Sequence, residues 1–322
     1  MKKNILISVF LIIVFSGLPR ISFSQNGSSH KVNHPMLDGH DFIINNFIDN
    51  PFVTTNLSSG LGFATSLQTD IPLLRLGDTT TLKIDADISF VNGSFKYQHA
   101  IQDWAAIWIN VSGIARLGTN TASIFVSGVT ANTAFETGML FRIKESKKSL
   151  FSSSIRIKNS SSTILNIYPF IRGLIDSTYP YATKNLVNTL NPLAGEVDLR
   201  AAYSPSKYWN ILSYFNGGYG ENIEINEIKN RFNYEFGASV SYNLNPGNNI
   251  PLAIGTGLKF NSRSPTLEYT KRLTQYYMFQ LAYTGRKDFT VSLESQYARI
   301  PVNYQDITIK LSSFAFSWAY YF

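Results

Sequence analysis

From about residue 50 to its end, this chain alternates apolar and polar side chains with a period of two, and that period limits what it can fold into. Phe232, Tyr234, Phe236, Ala238, Val240, Tyr242 and Leu244 share one face of a segment. The other face carries Arg231, Asn233, Glu235, Gly237, Ser239, Ser241 and Asn243. The next segment sets Ile250, Leu252, Ile254, Thr256, Leu258 and Phe260 against Pro251, Ala253, Gly255, Gly257, Lys259 and Asn261. Successive side chains of a strand point to opposite faces, whereas a helix would scatter this pattern around its circumference. Asn245-Pro246-Gly247-Asn248 between the two segments has turn chemistry, so the pair reads as a β-hairpin.

Further alternating segments are 289–297, 193–203 and 135–143, with weaker ones around 53–67, 80–97, 104–117, 149–159, 207–218, 273–285 and 307–322, about twelve in all. Their connections sort by length. After even-numbered strands they are short (98–103, 146–148, 205–206, 245–248, 286–287). After odd-numbered strands they are longer (68–79, 118–133, 160–193, 219–229, 263–272, 300–306). A two-sheet sandwich has no reason to sort its connections in this way, whereas an up-and-down barrel with both termini at one end does. Two segments change phase. The apolar positions are even up to Phe90 and odd at Phe95 and Tyr97; they are odd up to Leu311 and even from Phe314. One extra residue near Asn92-Gly93 and one near Ser312-Ser313, each a β-bulge, would restore the alternation.

The N-terminus sets the compartment. Lys2 and Lys3 precede an almost unbroken apolar run over 5–15, shorter than a bilayer-spanning helix and suited to a signal-peptide core. Ser22-Phe23-Ser24 offers a cleavage site, which leaves Gln25 as the mature N-terminus. Removing Lys2, Lys3 and Arg20 lowers Lys+Arg from 28 to 25 against 21 acids, a net charge of +4 without a basic cluster. No nucleic-acid partner is implied. There is no cysteine, which excludes disulfides, thiolate metal sites, cysteine nucleophiles and lipid attachment at cysteine. Mean hydropathy is −0.04, near zero as expected of strands with one apolar face, and Tyr and Phe are abundant.

The most specific motif is the C-terminus. Phe314, Phe316, Trp318, Tyr320 and Phe322 lie on one face, and Ser313, Ala315, Ser317, Ala319 and Tyr321 on the other. Aromatic residues alternating to a terminal Phe resemble the assembly signal of Gram-negative outer-membrane β-barrels, with Trp318, Tyr320 and Phe322 as its core. The resemblance spans roughly 51–322 in architecture. It implies an all-β, transmembrane, antiparallel up-and-down barrel of about 12 strands, exported through a cleaved signal peptide to the outer membrane. Its partners would be outer-membrane lipid, the barrel-assembly machinery and periplasmic chaperones. The organisation expected is a signal peptide over 1–24, an N-terminal periplasmic segment or plug over 25–50, and the barrel over 51–322. Long-chain hydrocarbon transporters of this class have an N-terminal plug and an apolar lumen.

If the apolar faces meet lipid, the lumen carries Lys83, Asp85, Asp87, Arg116, Glu136, Arg142, Lys144, Arg156, Lys158, Glu196, Asp198, Arg200, Arg231, Glu235, Lys259 and Glu294, of both signs. Such a bore is either a polar channel or one filled by its own salt bridges. The longest connection, 160–193, has apolar residues at roughly helical spacing, and the expectation is a long helical loop insertion. Tyr168, Phe170, Ile171 and Leu174 within it are candidates for a constriction. Phe42, Ile43, Ile44, Phe47 and Ile48 precede the first strand. They plug the barrel from the periplasmic side or, the preferred expectation, form a short helix packed under its rim. His30, His34 and His40 read as part of a disordered polar leader rather than a metal tract. No hydrolase, metalloprotease, P-loop or dinucleotide motif occurs, so no catalytic, cofactor or metal residue is nominated. The function expected is a passive channel or transporter for small solutes, of unknown identity, or else a structural or assembly barrel that binds envelope proteins, or a barrel like the long-chain hydrocarbon transporters.

Deleting Phe322 is expected to slow assembly and leave unfolded chain in the periplasm. The measurement is the fraction of heat-modifiable, folded barrel, and an unchanged fraction refutes the signal.

Overall fold

The computed structural model describes residues 34–76, 80–117, 128–167, 170, 173–174, 185–224, 227–262, 272–301 and 308–322. For 67–76, 80–87, 128, 223–224 and 227 it describes the backbone alone. The expected signal peptide lies outside these residues. Two short strands, β1 (Met36–Leu37) and β2 (His40–Asp41), precede the main sheet. That sheet contains β3 (Asn56–Leu76), β4 (Thr80–Gln102), β5 (Ala105–Leu117), β6 (Gly128–Glu145), β7 (Ser149–Leu165), β8 (Val187–Leu190) and β9 (Leu193–Ser206). It continues through β10 (Trp209–Glu224), β11 (Glu227–Asn243), β12 (Leu252–Asn261), β13 (Thr274–Tyr283), β14 (Phe289–Pro301) and β15 (Thr308–Tyr321).

Every pairing is antiparallel, and strands pair with their neighbours in sequence. The last strand, β15, pairs with the first barrel strand, β3, over Ser312–Tyr321 and Asn56–Thr65, which closes the sheet on itself. β8 and β9 lie end to end along the same edge of β7, interrupted at Asn191-Pro192, where proline supplies no N–H. They count as one stave, so the barrel has twelve, as the alternation indicates.

The outward face is apolar. Leu61, Phe232, Phe279, Phe314 and Leu199 are each more than half exposed, and the exposed aromatics at the C-terminus are Phe314 and Phe316 of β15 and Phe322 just after it. A soluble protein rarely leaves so continuous an apolar surface in water; a bilayer requires it.

Three sequence-based expectations need correction. First, the register of β4 runs unbroken through Asn92-Gly93, and that of β15 through Ser312-Ser313, so neither expected bulge exists. The chain does not slip. Ile88, Phe90, Ile309 and Leu311 keep the inward phase, and Ile88 is buried, as are Ala64, Ala298 and Ile300 on the same interior face. Register shifts occur elsewhere, at Gln68/Ile71, Ala100/Gln102, Val129/Ala131, Arg142/Lys144 and Trp209/Ile211 among others.

Second, several long connections are strand. β3 and β4 have 21 and 23 residues, far beyond the ~9–11 that cross a bilayer. β10 and β11 likewise consume most of 219–229. Continuing the ladder pairs backbone groups that a loop would leave to water.

Third, the long helical loop insertion is not supported. Both ends of 160–193 are strand: β7 runs to Leu165, and Val187–Leu190 pair with it. Helical backbone among the described residues between them is confined to Ile167, Phe170, Gly173 and Leu174. Of the proposed constriction, Tyr168 and Ile171 lie outside the described residues, Phe170 is half-buried and Leu174 is exposed.

Ala238 faces outward and Gln296 inward on mid-strand positions. Ala238→Arg is expected to destabilise insertion by ~2–4 kcal/mol, and Gln296→Arg, beside Glu294, by less. Equal losses on folding into lipid vesicles would show that the outward face does not meet lipid.

Candidate functional site

The functional candidate is the bore, and its main occupant comes from the chain itself. Residues 34–55 lie inside the barrel. They enter at the end where the short turns lie. Leu37-Asp38-Gly39-His40 forms a two-residue hairpin, with Asp38 at φ 52° and Gly39 at φ 76°. Asp-Gly suits this turn because both central residues need positive φ. The hairpin places the Asp38 carboxylate 3.2 Å from Lys147 and 3.8 Å from Lys148, both in the β6–β7 turn. His40 is fully buried. Its Nδ1 lies 2.8 Å from the Lys207 carbonyl and its Nε2 2.9 Å from the Asn210 amide. These partners fit a neutral ring that donates from Nδ1 and accepts at Nε2.

The chain then climbs without forming a helix. The Asn45 side chain accepts from the backbone N–H of Phe47 (3.1 Å) and Ile48 (2.6 Å), and Asn50 does the same for Phe52 (2.9 Å). Such local bonds offer the backbone an alternative to the helical ladder, which explains why the expected helix under the rim is replaced by turns. The leader expectation for His34 and His40 also fails: His34 bonds Asp41 at 2.7 Å, and His40 is enclosed.

Two kinds of contact hold the segment. The apolar kind buries Leu37, Phe42, Phe47, Ile48 and Phe52 against Leu150, Leu212, Tyr214 and Met278 of the wall. Full burial of each large side chain contributes roughly 1.5–3 kcal/mol. The ionic kind centres on Asp49. Its carboxylate lies 3.0 Å from Arg156, 3.6 Å from Arg200 and 3.8 Å from Lys96. Burial pushes the Asp49 carboxyl up, but Arg200, Arg156 and Lys96 outweigh it and hold the group below the ordinary carboxylate range. Arg200 also donates from Nη1 to the Asn50 carbonyl (2.8 Å) and grips Asp198 through Nε (2.6 Å) and Nη2 (2.8 Å). Arg156 Nε donates to Glu196 (2.7 Å), which also accepts from Asn216 (2.8 Å). The charges are thus paired, which buried charges require.

The wall is asymmetric around the segment. Strands β4, β6, β7 and β9 supply the ions, including Lys158–Glu136 at 2.9 Å. Strands β14, β15 and β3 supply small residues. There Glu294 accepts from the Asn46 N–H (3.1 Å) and from Ser317 (3.2 Å). Lys259 places its ammonium 5.1 Å from the Phe47 and Tyr276 rings, a cation–π contact.

Of the residues nominated for the lumen, Glu136, Arg156, Lys158, Glu196, Asp198, Arg200, Lys259 and Glu294 gather around the segment. Glu235 bonds Tyr214 and, at 2.5 Å, Asn261. Arg142 is paired with Glu145 near the β6–β7 turn, away from that gathering. Arg116 is half-buried in the upper part of β5. The side chains of Asp85 and Asp87 lie outside the description. Trp318, Tyr320 and Phe322 lie on the outward face of β15, and Phe322 donates its N–H to the Thr55 carbonyl at 3.1 Å. The sequence reading missed Asp49, Lys96 and Gln98. Lys96 was legible from its phase between Phe95 and Tyr97; Asp49 sits where no period guides the eye.

No family model and no curated protein sequence matches the chain. Solved structures do resemble it. The translocator domain of the autotransporter NalP from Neisseria meningitidis aligns with a TM-score of 0.50 at 4% identity, over 85% of this chain and 90% of that one. An outer membrane channel from Pseudomonas putida F1 aligns at 0.49 and 10% identity, over 88% and 100%. The KdgM porin aligns at 0.44 and 9%, over 82% and 99%. At these identities the likeness is one of fold: the chain is an outer-membrane-type β-barrel.

Burial lowers the His40 pKa below its ordinary 6.5, against the raising effect of the Lys207 carbonyl. Neutral His40 therefore favours the packed segment above pH 6.5, and that contribution is lost as pH falls through the lowered value. Protection factors of the amides at 37–42, each exchange rate taken relative to its intrinsic rate at the same pH, are expected to fall with acidification. Protection factors that are independent of pH in this window would rule out His40 as a determinant of the packing.

Proposed function

We propose that this protein is a channel of the Gram-negative outer membrane, passing small solutes passively, and that residues 34–55 narrow it from the periplasmic side. The observation that carries this reading is the ionic anchoring of Asp49 within a closed barrel whose outer face is apolar. A scaffold barrel can fill its bore with side chains of its own wall. This one keeps serine, glycine and alanine along β3 and β15 and inserts a separate peptide, fastened partly by ion pairs that can open. Export through the signal peptide in 1–24 and insertion by the barrel-assembly machinery, after escort by periplasmic chaperones, complete the reading. Both termini then face the periplasm. The connection after β7, with Tyr168, Phe170, Ile171 and Leu174, is proposed as a second constriction at the opposite end. The chain acts as a conduit and not as an enzyme. The ions of β7 and β9 make a long-chain hydrocarbon a poor cargo, because each would face apolar solute without the solvation that charge demands.

The test is single-channel conductance in planar bilayers. The full chain, a variant lacking 36–50 and Asp49→Ala are compared after each is shown to be folded by heat-modifiability. Removing the segment is expected to raise conductance several-fold, and Asp49→Ala to add brief openings. A folded barrel that conducts no better without the segment would favour a partner-binding scaffold.

A further inference from the structure

Between the inserted segment and the β14–β15–β3–β4–β5 side of the wall lies a cavity of ≈ 170 Å³. That is far more than the ~10–15 Å³ that one water needs. We propose that this cavity is a binding site for a neutral, polyhydroxylated solute of monosaccharide size, a proposal that rests on the channel reading and names its solute class.

Three buried polar groups on its lining have no hydrogen-bond partner among the described residues: the Gln98 Oε1 acceptor, the Trp108 Nε1 donor and the Tyr321 hydroxyl. All three residues are almost completely enclosed. The orientation of Gln98 is forced. Its Nε2 donates to two carbonyls, Phe52 at 2.8 Å and Thr54 at 2.9 Å, so the amide cannot flip and the oxygen is left over. A buried polar group without a partner is costly, and natural proteins seldom retain three at one cavity without a use.

The rest of the lining fixes the chemistry. Ser58, Ser94, Asn110 and Ser317 add hydroxyls and an amide, each able to donate and accept. A sugar hydroxyl likewise donates and accepts, so it can satisfy an indole N–H and an amide oxygen side by side. The charges on the lining are already engaged. Asp49 is held by Arg156 and Arg200, Glu136 by Lys158, and Lys96 lies beside Asp49 and over the Trp108 ring at 5.0 Å. An anionic or cationic solute therefore finds no unbalanced partner there, and an apolar one would leave the orphan groups unpaired.

The experiment is ligand-observed saturation-transfer NMR on the full-length barrel in detergent. The probes are glucose, gluconate and toluene at equal concentration. Glucose is expected to receive saturation and the other two not. Trp108→Phe keeps a ring but removes the donor, and should weaken glucose binding by about fivefold or more. Ser58→Phe fills the cavity from a strand position whose side chain anchors nothing described, and should abolish the signal. Equal glucose signals in the parent and in either folded variant would overturn the site. So would the absence of a glucose signal in the parent, or transfer to toluene or gluconate of equal strength. Because binding is read without current, the site can fail while the channel conducts, and the channel reading can fail while glucose binds.

Discussion

The pairing of β15 with β3 is the constraint on which the rest of this structure depends. A sheet whose outer face is apolar and whose edges are open would carry unpaired N–H and C=O groups into any apolar surroundings, at several kcal/mol for each group. Ten consecutive residue pairs between the last strand and the first remove both edges at once. Closure also fixes the interior. It brings the inward residues of β7 and β9 within reach of those of β4 and β6. It also sets the start of β3 at the same end as the C-terminus, so that the residues preceding β3 have a mouth to enter.

Given that mouth, the fate of the N-terminal segment follows from elementary energetics. Phe42, Phe47, Ile48 and Phe52 cannot stay in water at low cost, and the outer surface of the barrel is a competing apolar face. What selects the bore is charge. Asp49 and Asp38 find Arg156, Arg200, Lys96, Lys147 and Lys148 inside or at the turn end. The apolar residues supply most of the binding strength, and the ions decide where and in which register the strength is used.

The fold was legible because a period of two survives any context, and because loops sort by length in an up-and-down barrel. The count of twelve staves, the outward Tyr234–Ala238 face and the inward Glu235, Lys259 and Glu294 all follow from it. The phase changes near Asn92 and Ser312 misled for a physical reason. Inside the barrel, Ile88, Phe90, Ile309 and Leu311 are as acceptable as polar residues, so alternation stops reporting register. The segment over 160–193 misled differently: its ends extend the ladder and bury Ile164, and the helical backbone among its described residues is confined to Ile167, Phe170, Gly173 and Leu174. The site was half legible. Its wall residues carry the period, but Asp49 lies in a stretch ruled by asparagine side-chain bonds, which leave no periodic trace. The Asp-Gly pair at 38–39 was the one local signal of the inserted hairpin, and it is recognisable by its turn chemistry.

The division of the wall into an ionic half and a small-residue half gives the inserted segment two different neighbours. Against β7 and β9 it has no room, because the guanidinium groups reach its carboxylate and its carbonyl directly. Against β15 and β3 it meets serine, glycine and alanine, which are too short to close the gap. A Cβ added at Gly60 would stand 2.9 Å from the Asn46 side chain, so even the backbone of β3 is held close while its side chains stay minimal. Replacing those small residues with larger ones would fill the bore more cheaply than inserting a peptide does. Their presence therefore argues that the space beside the segment has a use, and that the segment is fastened on one side so that the other can remain open.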